Sequence, residues 1–438
     1  LFFLLLIVTV FNIFDYRPGI ITNLSLEPTS PVSSSPLSPS PYQYPTNVLS
    51  LEKLAKCTRE QMSVIEKQLR FDVCNTTNPQ HVPPVAIPCG YGIYYETHCT
   101  DNTWLRDYFQ NDFQSTRTLL DHENDDENDN HKFIGLNIGC NKGFDAVDLA
   151  RMGMNDPDFD KFQWREALGK KQLHSNGSCR QGKFTSQYPI LNNHTNLIRR
   201  SGEIHCVEPI PSTTQILESA TKTLGLDTKK EQRFVLSKAA ISSSNGVAKF
   251  PNPEHAKFGR ENLGIDACMQ NENKMDNKAQ CVDVPRYSLQ TYVQKFVNST
   301  GPINVLMIDV EGHDFDVLLG AGTVLERTEY LEFEYHKAGN WINYHLMDAI
   351  HLLDNKGFTC YWAGKGKLWR LSGCDHSIYD TYHTWSNVAC VHRSQQVLAT
   401  KMEQLFLETL QLPFQLIKYH RKVTQLINGT KIQTRIMT

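Results

Sequence analysis

One short run of this sequence constrains the fold more than any other. Residues 303–321 read INVLMIDVEGHDFDVLLGA. Four apolar residues, Val305 to Ile308, are followed at once by Asp309, Glu311 and Asp314. A buried strand of a parallel sheet reads this way when it delivers carboxylates to the carboxyl edge of the sheet. Ligands of open α/β sheets bind outside that edge, so the run favours an enzyme.

Strands and helices alternate from Phe133 onward. Apolar runs typical of strands occur at 133–138, 203–207, 232–236, 247–250, 305–308, 330–333, 359–362 and 388–392. Helical spacing occurs at 146–152, 213–224, 288–296, 315–325 and 343–355. This alternation predicts an α/β fold, with a mostly parallel sheet and helices on both faces. Two long polar segments, 155–201 and 258–281, interrupt the pattern and are predicted to be insertions.

The sequence on either side of residues 133–393 has a different character. Residues 1–14 are almost wholly apolar but shorter than the roughly 20 residues that span a bilayer. We interpret them as the end of a signal-anchor helix, with a signal-peptide core as the alternative. Residues 15–50 are rich in Pro and Ser and predict an extended stem. Residues 51–132 predict a helical and irregular extension with an acidic loop at 121–130, and residues 394–438 predict a helical tail.

An anchor, a stem and a folded domain are the layout of a single-pass membrane protein whose catalytic domain faces the lumen of the Golgi or endoplasmic reticulum. Six Asn-x-Ser/Thr sequons agree with this location: Asn23, Asn75, Asn176, Asn193, Asn298 and Asn428. A net charge of −3 with mixed signs predicts no nucleic-acid partner.

The chain has twelve cysteines, which would form disulfides in an oxidising lumen. Short spacing makes three pairs candidates, although spacing alone does not determine the pairing: Cys57/Cys74, Cys89/Cys99 and Cys268/Cys281. Neither Cys nor His occurs with zinc-site spacing, so we predict no structural metal, although clustered acids could bind a divalent ion that acidifies a hydroxyl.

Two motifs predict a nucleoside site. Residues 136–143, LNIGCNKG, join the first predicted strand to a helix, and Gly139 and Gly143 allow a sharp turn and the close approach of a ligand. The spacing is not the GxGxxG of dinucleotide sites, which argues against a pyrophosphate cofactor. Glu208 ends the second predicted strand, where an acid can accept hydrogen bonds from both hydroxyls of a ribose.

These motifs, in this order, resemble those of the FkbM-type S-adenosylmethionine-dependent methyltransferases. The shared features are the glycine loop at 136–143, the acid-Pro pair at 208–209, the alanines at 239–240, the block at 308–321 and the segment EFEYH at 332–336. The resemblance covers about 133–393, outside the two insertions. It implies a class I methyltransferase with a Rossmann-like fold and S-adenosyl-L-methionine as the cofactor.

The resemblance also implies which residues contact the cofactor: Asn137, Gly139, Asn141, Gly143, Glu208, Ala239, Ala240 and Asp309. Glu208 would hold the ribose, and the two alanines would lie against the adenine. The chain departs from the family pattern at four positions. It has Asn137 where an acid is usual, Met307 where a lysine is frequent, Asp314 where a glutamate is usual and Gln290 where an acid is common.

Methyl transfer to an alcohol needs alignment and gains from a base that removes the hydroxyl proton. The candidates for this role or for substrate contact, each of which also has a structural interpretation, are Asp309, Glu311, Asp314, Glu334 and His336, with less support for His313. We expect O-methylation of a glycan or another hydroxylated acceptor. Two alternatives stay open. Asp309-Val-Glu311 resembles the acid-x-acid metal site of a lumenal glycosyltransferase. Asn137 and Met307 are compatible with a non-catalytic interaction or trafficking protein.

Overall fold

The computed structural model describes the residues that form the folded core. These are 56–69, 104–113, 132–169, 199–226, 233–252, 264–265, 281–336, 338–364, 366–374, 379, 386–411, 426–427 and 430–431. The predicted anchor, stem and acidic loop lie outside the described residues, as do most of both predicted insertions and nearly all of the tail beyond Gln411. Within the described residues, no helix combines the length and the apolar character needed to cross a membrane.

The strands follow the predicted pattern closely, with some additions. They are β1 (Phe133–Ile138), β2 (Gly202–Val207), β3 (Phe234–Ser237), β4 (Ala240–Ser242), β5 (Gly246–Pro251), β6 (Cys281–Ser288), β7 (Val305–Ile308), β8 (Tyr330–Tyr335), β9 (Phe358–Gly364), β10 (Lys367–Arg370) and β11 (Ser386–His392), followed by the short pair β12 (Leu426–Ile427) and β13 (Thr430–Lys431). Strands β4, β6 and β10 are additional to the predicted pattern, as are β12 and β13, which lie where a helical tail was predicted. Pro285 argues against a strand over 281–288, because proline cannot donate to a neighbouring strand, yet β6 is the middle strand of its sheet.

The helices are α1 (Arg59–Gln68), α2 (Trp104–Asp107), α3 (Phe144–Gly153), α4 (Lys161–Leu168), α5 (Pro211–Thr223), α6 (Leu289–Phe296), α7 (Asp314–Leu319), α8 (Leu346–Asn355) and α9 (Gln396–Gln411). A π-helical turn at Tyr108–Asp112 continues α2, and 3₁₀ turns span Gly322–Arg327 and Gly339–Asn343. Side-chain caps begin several of them. Asp160 accepts from the first free N–H groups of α4, and Ser288 does so for α6. Pro211 starts α5 at the position where a missing N–H costs nothing.

Eight strands form the main sheet, in the order β10-β9-β11-β8-β7-β1-β2-β3. The five strands from β8 to β3 are parallel, whereas β11 runs antiparallel to both of its neighbours, β8 and β9, and β10 runs antiparallel to β9. Every residue of β1, β2 and β9 is buried, as expected for strands covered on both faces. The predicted mixed α/β fold with a mostly parallel sheet is confirmed. A smaller sheet has three strands, in the order β4-β6-β5.

Disulfides join segments that are far apart in the sequence. Cys57 pairs with Cys374, so the predicted pairing of Cys57 with Cys74 is wrong. The reason is tertiary: α1 packs near α9, and the Gln68 side-chain amide donates to the Thr409 carbonyl at 2.7 Å. Short spacing in the sequence could not reveal this contact. Two more disulfides join Cys140 to Cys206 and Cys360 to Cys390. Cys281 is also disulfide-bonded, whereas Cys89, Cys99 and Cys268 lie outside the described residues.

Candidate active site

The register of four neighbouring strands brings the key residues into one row. Strands β2, β1 and β7 are paired so that their carboxyl ends are level, and β8 continues two residues further. The residues that follow β2, β1 and β7 are Glu208, Gly139 and Asp309, and Glu334 of β8 is level with them, so these four residues lie side by side across the sheet edge. Gly139 has no side chain, and a Cβ there would lie 1.8 Å from the carbonyl oxygen of Asp309. Glycine is therefore required where the backbones that follow β1 and β7 approach each other.

A cavity that is open to solvent lies at this row. It brings together seven of the residues that the sequence singled out: Gly139, Asn141, Glu208, Ala239, Ala240, Asp309 and Glu311. The loop after the first strand and the acid after the second therefore form two sides of one cleft. Asn137, Gly143, Asp314, Glu334 and His336 are not part of its wall.

The wall also contains residues that sequence reasoning missed. These are mainly apolar, and the ones that extend the alanine face are Ile210, Ile241, Phe250 and Ile265. Gly264 and Ile265 belong to the second predicted insertion, so this segment contributes to the cavity and does not merely cover the surface. Nothing in their spacing distinguishes them from an ordinary loop. Phe250 could have been suspected, because it ends a predicted strand that follows the two alanines.

The glycine loop is held in place by α4 and by backbone conformation. Gly139, Asn141 and Gly143 all have positive φ, at 79°, 46° and 75°. Gly143 is the residue before α3, and a Cβ there would meet the Trp164 ring at 2.9 Å. The indole N–H of Trp164 donates to the carbonyl of Lys142 at 2.8 Å. Gly143 therefore shapes the loop by packing against α4, and the predicted contact with the cofactor is not visible in the cavity wall.

Glu208 is buried at 3 % exposure and already bonds the protein backbone. Its Oε2 accepts from the N–H of Asn141 at 3.0 Å, and its Oε1 accepts from the N–H of Ile210 at 2.9 Å. Burial raises its pKa to about 7, with a small addition from Glu311, although the two backbone hydrogen bonds oppose the shift. Each carboxylate oxygen has a second lone pair, which leaves an acceptor for a ribose hydroxyl.

Two buried asparagine oxygens have no hydrogen-bond partner among the described residues. They are Oδ1 of Asn137 and Oδ1 of Asn141. Asn141 lines the cavity, so a ligand that donates a hydrogen bond there would satisfy it. Asn137 lies within β1, two residues before Gly139, and stands outside the wall. Its oxygen is a buried acceptor close to the site, without the charge that an acid would carry.

The loop after β7 is strained and tightly packed. Glu311 has φ 56°, in a region that favours glycine, and Gly312 follows with φ 93°. A Cβ on Gly312 would lie 2.4 Å from the carbonyl oxygen of Ala338, so only glycine fits there. Asp314 is wholly buried and accepts from the N–H groups of Val310 and Gly312, at 3.4 and 3.2 Å. These hydrogen bonds hold the loop in the conformation in which Glu311 lines the cavity.

Asp314 thus serves a different purpose from the substrate contact that the sequence suggested. It is 0 % exposed and holds the strained loop together through its carboxylate. Burial raises its pKa to about 6, with repulsion from Glu311 adding to the shift, whereas His336 and the backbone hydrogen bonds oppose it. His313 is likewise structural, since its Nδ1 lies 3.1 Å from Asp316 and the ring is buried.

Asp309 is the acid at the centre of the row. The surrounding protein raises its pKa well above the ordinary value, and the nearby carboxyl groups of Glu334, Glu311 and Asp314 raise it further by repulsion. Although it lies deep in the molecule, its surface is open to solvent through the cavity. We therefore give the repulsion between carboxyl groups at least as much weight as burial. Both effects favour the protonated form of the Asp309 carboxyl.

Glu334 and His336 lie directly behind Asp309. Strand β8 extends to Tyr335, two residues beyond its predicted end, which places Glu334 beside Asp309. Nε2 of His336 lies 3.2 Å from Oε2 of Glu334, and His336 is 1 % exposed. A direct contact between His336 and substrate, as the sequence suggested, is not what this position allows. The ring acts on the cavity only through its neighbours.

One group of side chains in the described residues has the spacing of a metal site. The ligand atoms of Glu311, Glu334 and His336 all lie within 4.8 Å of one another. Two carboxylates and an imidazole are ligands that suit several divalent ions. The sequence identified no set of metal ligands here, because residues 311, 334 and 336 show no motif spacing and come together only in the folded chain.

The cavity fits an adenosyl group that carries positive charge. Gly139 lines it without a side chain, and Asn141 offers an unsatisfied acceptor. Glu208 can accept from ribose hydroxyls, and the apolar wall around Ala239 can cover a flat base. Asp309 and Glu311 add negative charge at the opposite end, which complements a sulfonium.

Comparison with known proteins supports the resemblance of the motifs. The family model of the methyltransferase FkbM domain matches residues 189–360, so this part of the chain is similar to that domain. The match includes Glu208, Asp309, Glu334 and His336, and begins after the glycine loop. No curated protein sequence matches the chain.

Proposed function

We propose that this methyltransferase uses S-adenosyl-L-methionine to methylate a hydroxyl group. One observation carries the proposal: Glu208, Gly139 and Asp309 lie in a row and line one cavity. The donor supplies a methyl group on a positively charged sulfur. The chain supplies an acceptor for the ribose at one end of the row and carboxylates at the other.

The acidic end of the cavity favours an alcohol over an anionic acceptor. Asp309 and Glu311 line it, and Glu334 lies beside Asp309. A carboxylate acceptor would be repelled there, whereas a neutral hydroxyl can donate a hydrogen bond to a carboxylate. Water must be excluded while the acceptor is aligned. Gly264 and Ile265 form part of the cavity wall and cover it there.

We further propose that the acceptor is a glycan or another hydroxylated molecule of the secretory pathway, with the N-terminal segment as the membrane anchor. Every cysteine in the described part of the chain is disulfide-bonded, which supports an oxidising compartment. The sequon residue Asn298 is exposed at the end of α6, where a glycan could be attached. Digestion of the cell-made protein with peptide N-glycosidase and alkaline extraction of membranes test these two points. An unshifted band and full extraction would contradict them.

A labelled methyl donor and a panel of glycans test the reaction. Glu208→Ala should abolish binding of S-adenosylhomocysteine in calorimetry, whereas Glu311→Ala should spare it and lower transfer, because only Glu208 lies at the ribose end and this ligand lacks the sulfonium charge. Glu326→Gln, at an exposed acid, is the matched control and should change neither.

The same preparation separates the rival functions. A glycosyltransferase would be stabilised by a nucleotide sugar with manganese and not by S-adenosylmethionine. A non-catalytic protein would bind neither donor. If Glu208→Ala and Glu311→Ala both bind and transfer like the wild type, the site assignment is wrong.

A further inference from the structure

One buried hydroxyl outside the cavity wall is hydrogen-bonded to two of the strands that lead to the cavity. The phenol oxygen of Tyr292, in α6, lies 2.9 Å from Oγ of Ser237 and 3.0 Å from Nδ1 of His205. Ser237 is the last residue of β3, and His205 belongs to β2. Tyr292 and His205 are both 0 % exposed. A hydroxyl has one proton to donate and two lone pairs, so it can bond both partners at once.

Ser237 in turn holds the backbone at one end of the cavity. Its carbonyl oxygen accepts from the N–H of Glu208 at 3.0 Å and from the N–H of Ala239 at 3.1 Å. Glu208 and Ala239 both line the cavity, and we call the end that they form the adenosyl end. A single carbonyl therefore joins the acid that is proposed to hold the ribose to the alanine face that is proposed to cover the adenine.

The small sheet brings Tyr292 back to this carbonyl. Strand β4 begins at Ala240, directly after Ala239, and pairs with β6. Strand β6 leads into α6, which begins with Ser288 as its cap. The helix is thus connected to the alanine face at its start, and Tyr292 contacts the end of β3 from its first turns. The hydroxyl closes a ring of contacts around the adenosyl end.

A role as a catalytic acid or base does not suit Tyr292. The residue is not part of the cavity wall, and burial raises the pKa of its phenol, which therefore keeps its proton. The remaining alternative is that the hydroxyl stabilises the fold alone. The bond to Ser237 argues for more than this, because the carbonyl of the same residue carries both hydrogen bonds to the cavity wall.

We propose that Tyr292 is a positioning residue for the donor: its hydroxyl holds Ser237, and the Ser237 carbonyl thereby keeps Glu208 and Ala239 at the spacing that an adenosyl group needs. The proposal rests on donor binding as part of the proposed function. Tyr292 does not contact the ligand and takes no part in methyl transfer. Its loss should therefore weaken the binding of ligands that carry the adenosyl group and leave kcat unchanged.

Hydrogen exchange of the full chain tests the positioning without any ligand. Tyr292→Phe removes the hydroxyl and keeps the ring, which packs against Phe296 with the ring centroids 5.1 Å apart. The amides of Glu208 and Ala239 should exchange about tenfold faster in this variant, because the carbonyl that they share is held less firmly. Exchange at the wild-type rate would overturn the proposal.

Calorimetry with S-adenosylhomocysteine tests the consequence for binding. Tyr292→Phe should raise the Kd about fivefold, and Ser237→Ala, which removes the other partner of the same bond, should raise it by a similar factor. The double variant should bind within about twofold of either single variant, because both changes break one interaction. Losses that multiply to about 25-fold would mean that the two hydroxyls act separately, which would refute the proposal.

A matched control distinguishes positioning from stability. Tyr379 is another buried tyrosine, whose hydroxyl donates to the carbonyl of Arg370 at 3.0 Å, and Arg370 ends β10, at the edge of the main sheet opposite β3. Tyr379→Phe should lower the unfolding temperature without changing the Kd. An unchanged Kd in Tyr292→Phe, or an equal rise in Tyr379→Phe, would refute the positioning role. A wild type that does not bind S-adenosylhomocysteine would instead refute the proposed function, and the exchange of the two amides would still decide whether Tyr292 holds them.

Discussion

Glu208 is predicted to make the binding of S-adenosylhomocysteine depend on pH. In the free protein, burial raises the pKa of Glu208 to about 7. Ribose hydroxyls donate hydrogen bonds, so they favour the ionised carboxylate. The ligand therefore selects the deprotonated form, and affinity should fall about tenfold for each pH unit below 7. From pH 8.5 to pH 5.5 the expected loss is about 30-fold.

Glu208→Gln is the sharpest perturbation, because it keeps the size of the side chain and removes its titration. The Gln oxygen can accept from only one of the two backbone N–H groups, of Asn141 and Ile210, that now bond the carboxylate. An unpaired buried N–H costs roughly 1–3 kcal/mol. The variant should therefore be less stable than the wild type at acidic pH, where Glu208 is protonated and uncharged.

The stability difference should shrink as the pH rises. The folded-state pKa of Glu208 is about 7 against an ordinary value of 4.5. A raised pKa means that the group's contribution to stability is complete below pH 4.5 and is lost as the pH rises through 7. The wild type loses about 2 kcal/mol between pH 5.5 and 8.5 through this group alone, whereas the Gln variant loses none.

Calorimetry with S-adenosylhomocysteine and urea unfolding, both at pH 5.5, 7 and 8.5, measure the two effects. This ligand lacks the sulfonium charge, so the carboxylates at the other end of the cavity influence its binding less. Glu326→Gln, at an exposed position, controls for the general effect of a lost acid. Wild-type affinity that is constant over this range, or an equal slope in Glu208→Gln, would refute the reasoning.

Two further predictions concern the glycine loop. Gly139→Ala should abolish binding of S-adenosylhomocysteine in calorimetry. The new Cβ would lie 1.8 Å from a backbone carbonyl oxygen, and the φ of +79° at this position disfavours alanine. Binding within a few-fold of wild type would contradict this prediction. The disulfide between Cys140 and Cys206 joins the glycine loop to β2. Its removal should lower the free energy of unfolding by up to about 4 kcal/mol and weaken ligand binding at least tenfold. The double Ser variant of Cys360 and Cys390 is the control, since that disulfide lies between β9 and β11 and should affect unfolding alone.

The central row of the site could be predicted because each of its members follows a strand with a clear apolar pattern. Strand β7 was found from its apolar run, and the carboxyl edge of a parallel sheet then placed Asp309. Glu208 and Gly139 followed in the same way from β2 and β1. Parallel strands level at their ends turn three positions far apart in the sequence into neighbours. This inference needs only the direction and the register of the strands.

Other features depend on contacts that no local pattern encodes. The role of Asp314 follows from its hydrogen bonds to a loop with positive φ at Glu311, which the amino-acid order does not reveal. The disulfide between Cys57 and Cys374 depends on the packing of the segment before α1 against the segment after β10. Ile265 reaches the cavity from a polar segment that reads as a surface loop. In each case tertiary packing, and not the spacing of residue types, determines the outcome.

The asparagine at 137 is best understood through the charge of the whole edge. Asn137 lies two residues, or about 7 Å, behind Gly139 along β1 and is buried. The edge already holds several carboxyl groups close enough to raise the pKa of Asp309, and Glu208 is protonated for half of the time around pH 7. Another buried carboxylate so close would raise these pKa values further and oppose ionisation of the groups that a cationic donor needs. The amide of Asn137 keeps a buried hydrogen-bond acceptor without adding charge. This departure from the family pattern is therefore compatible with a site whose negative charge is concentrated at Asp309 and Glu311.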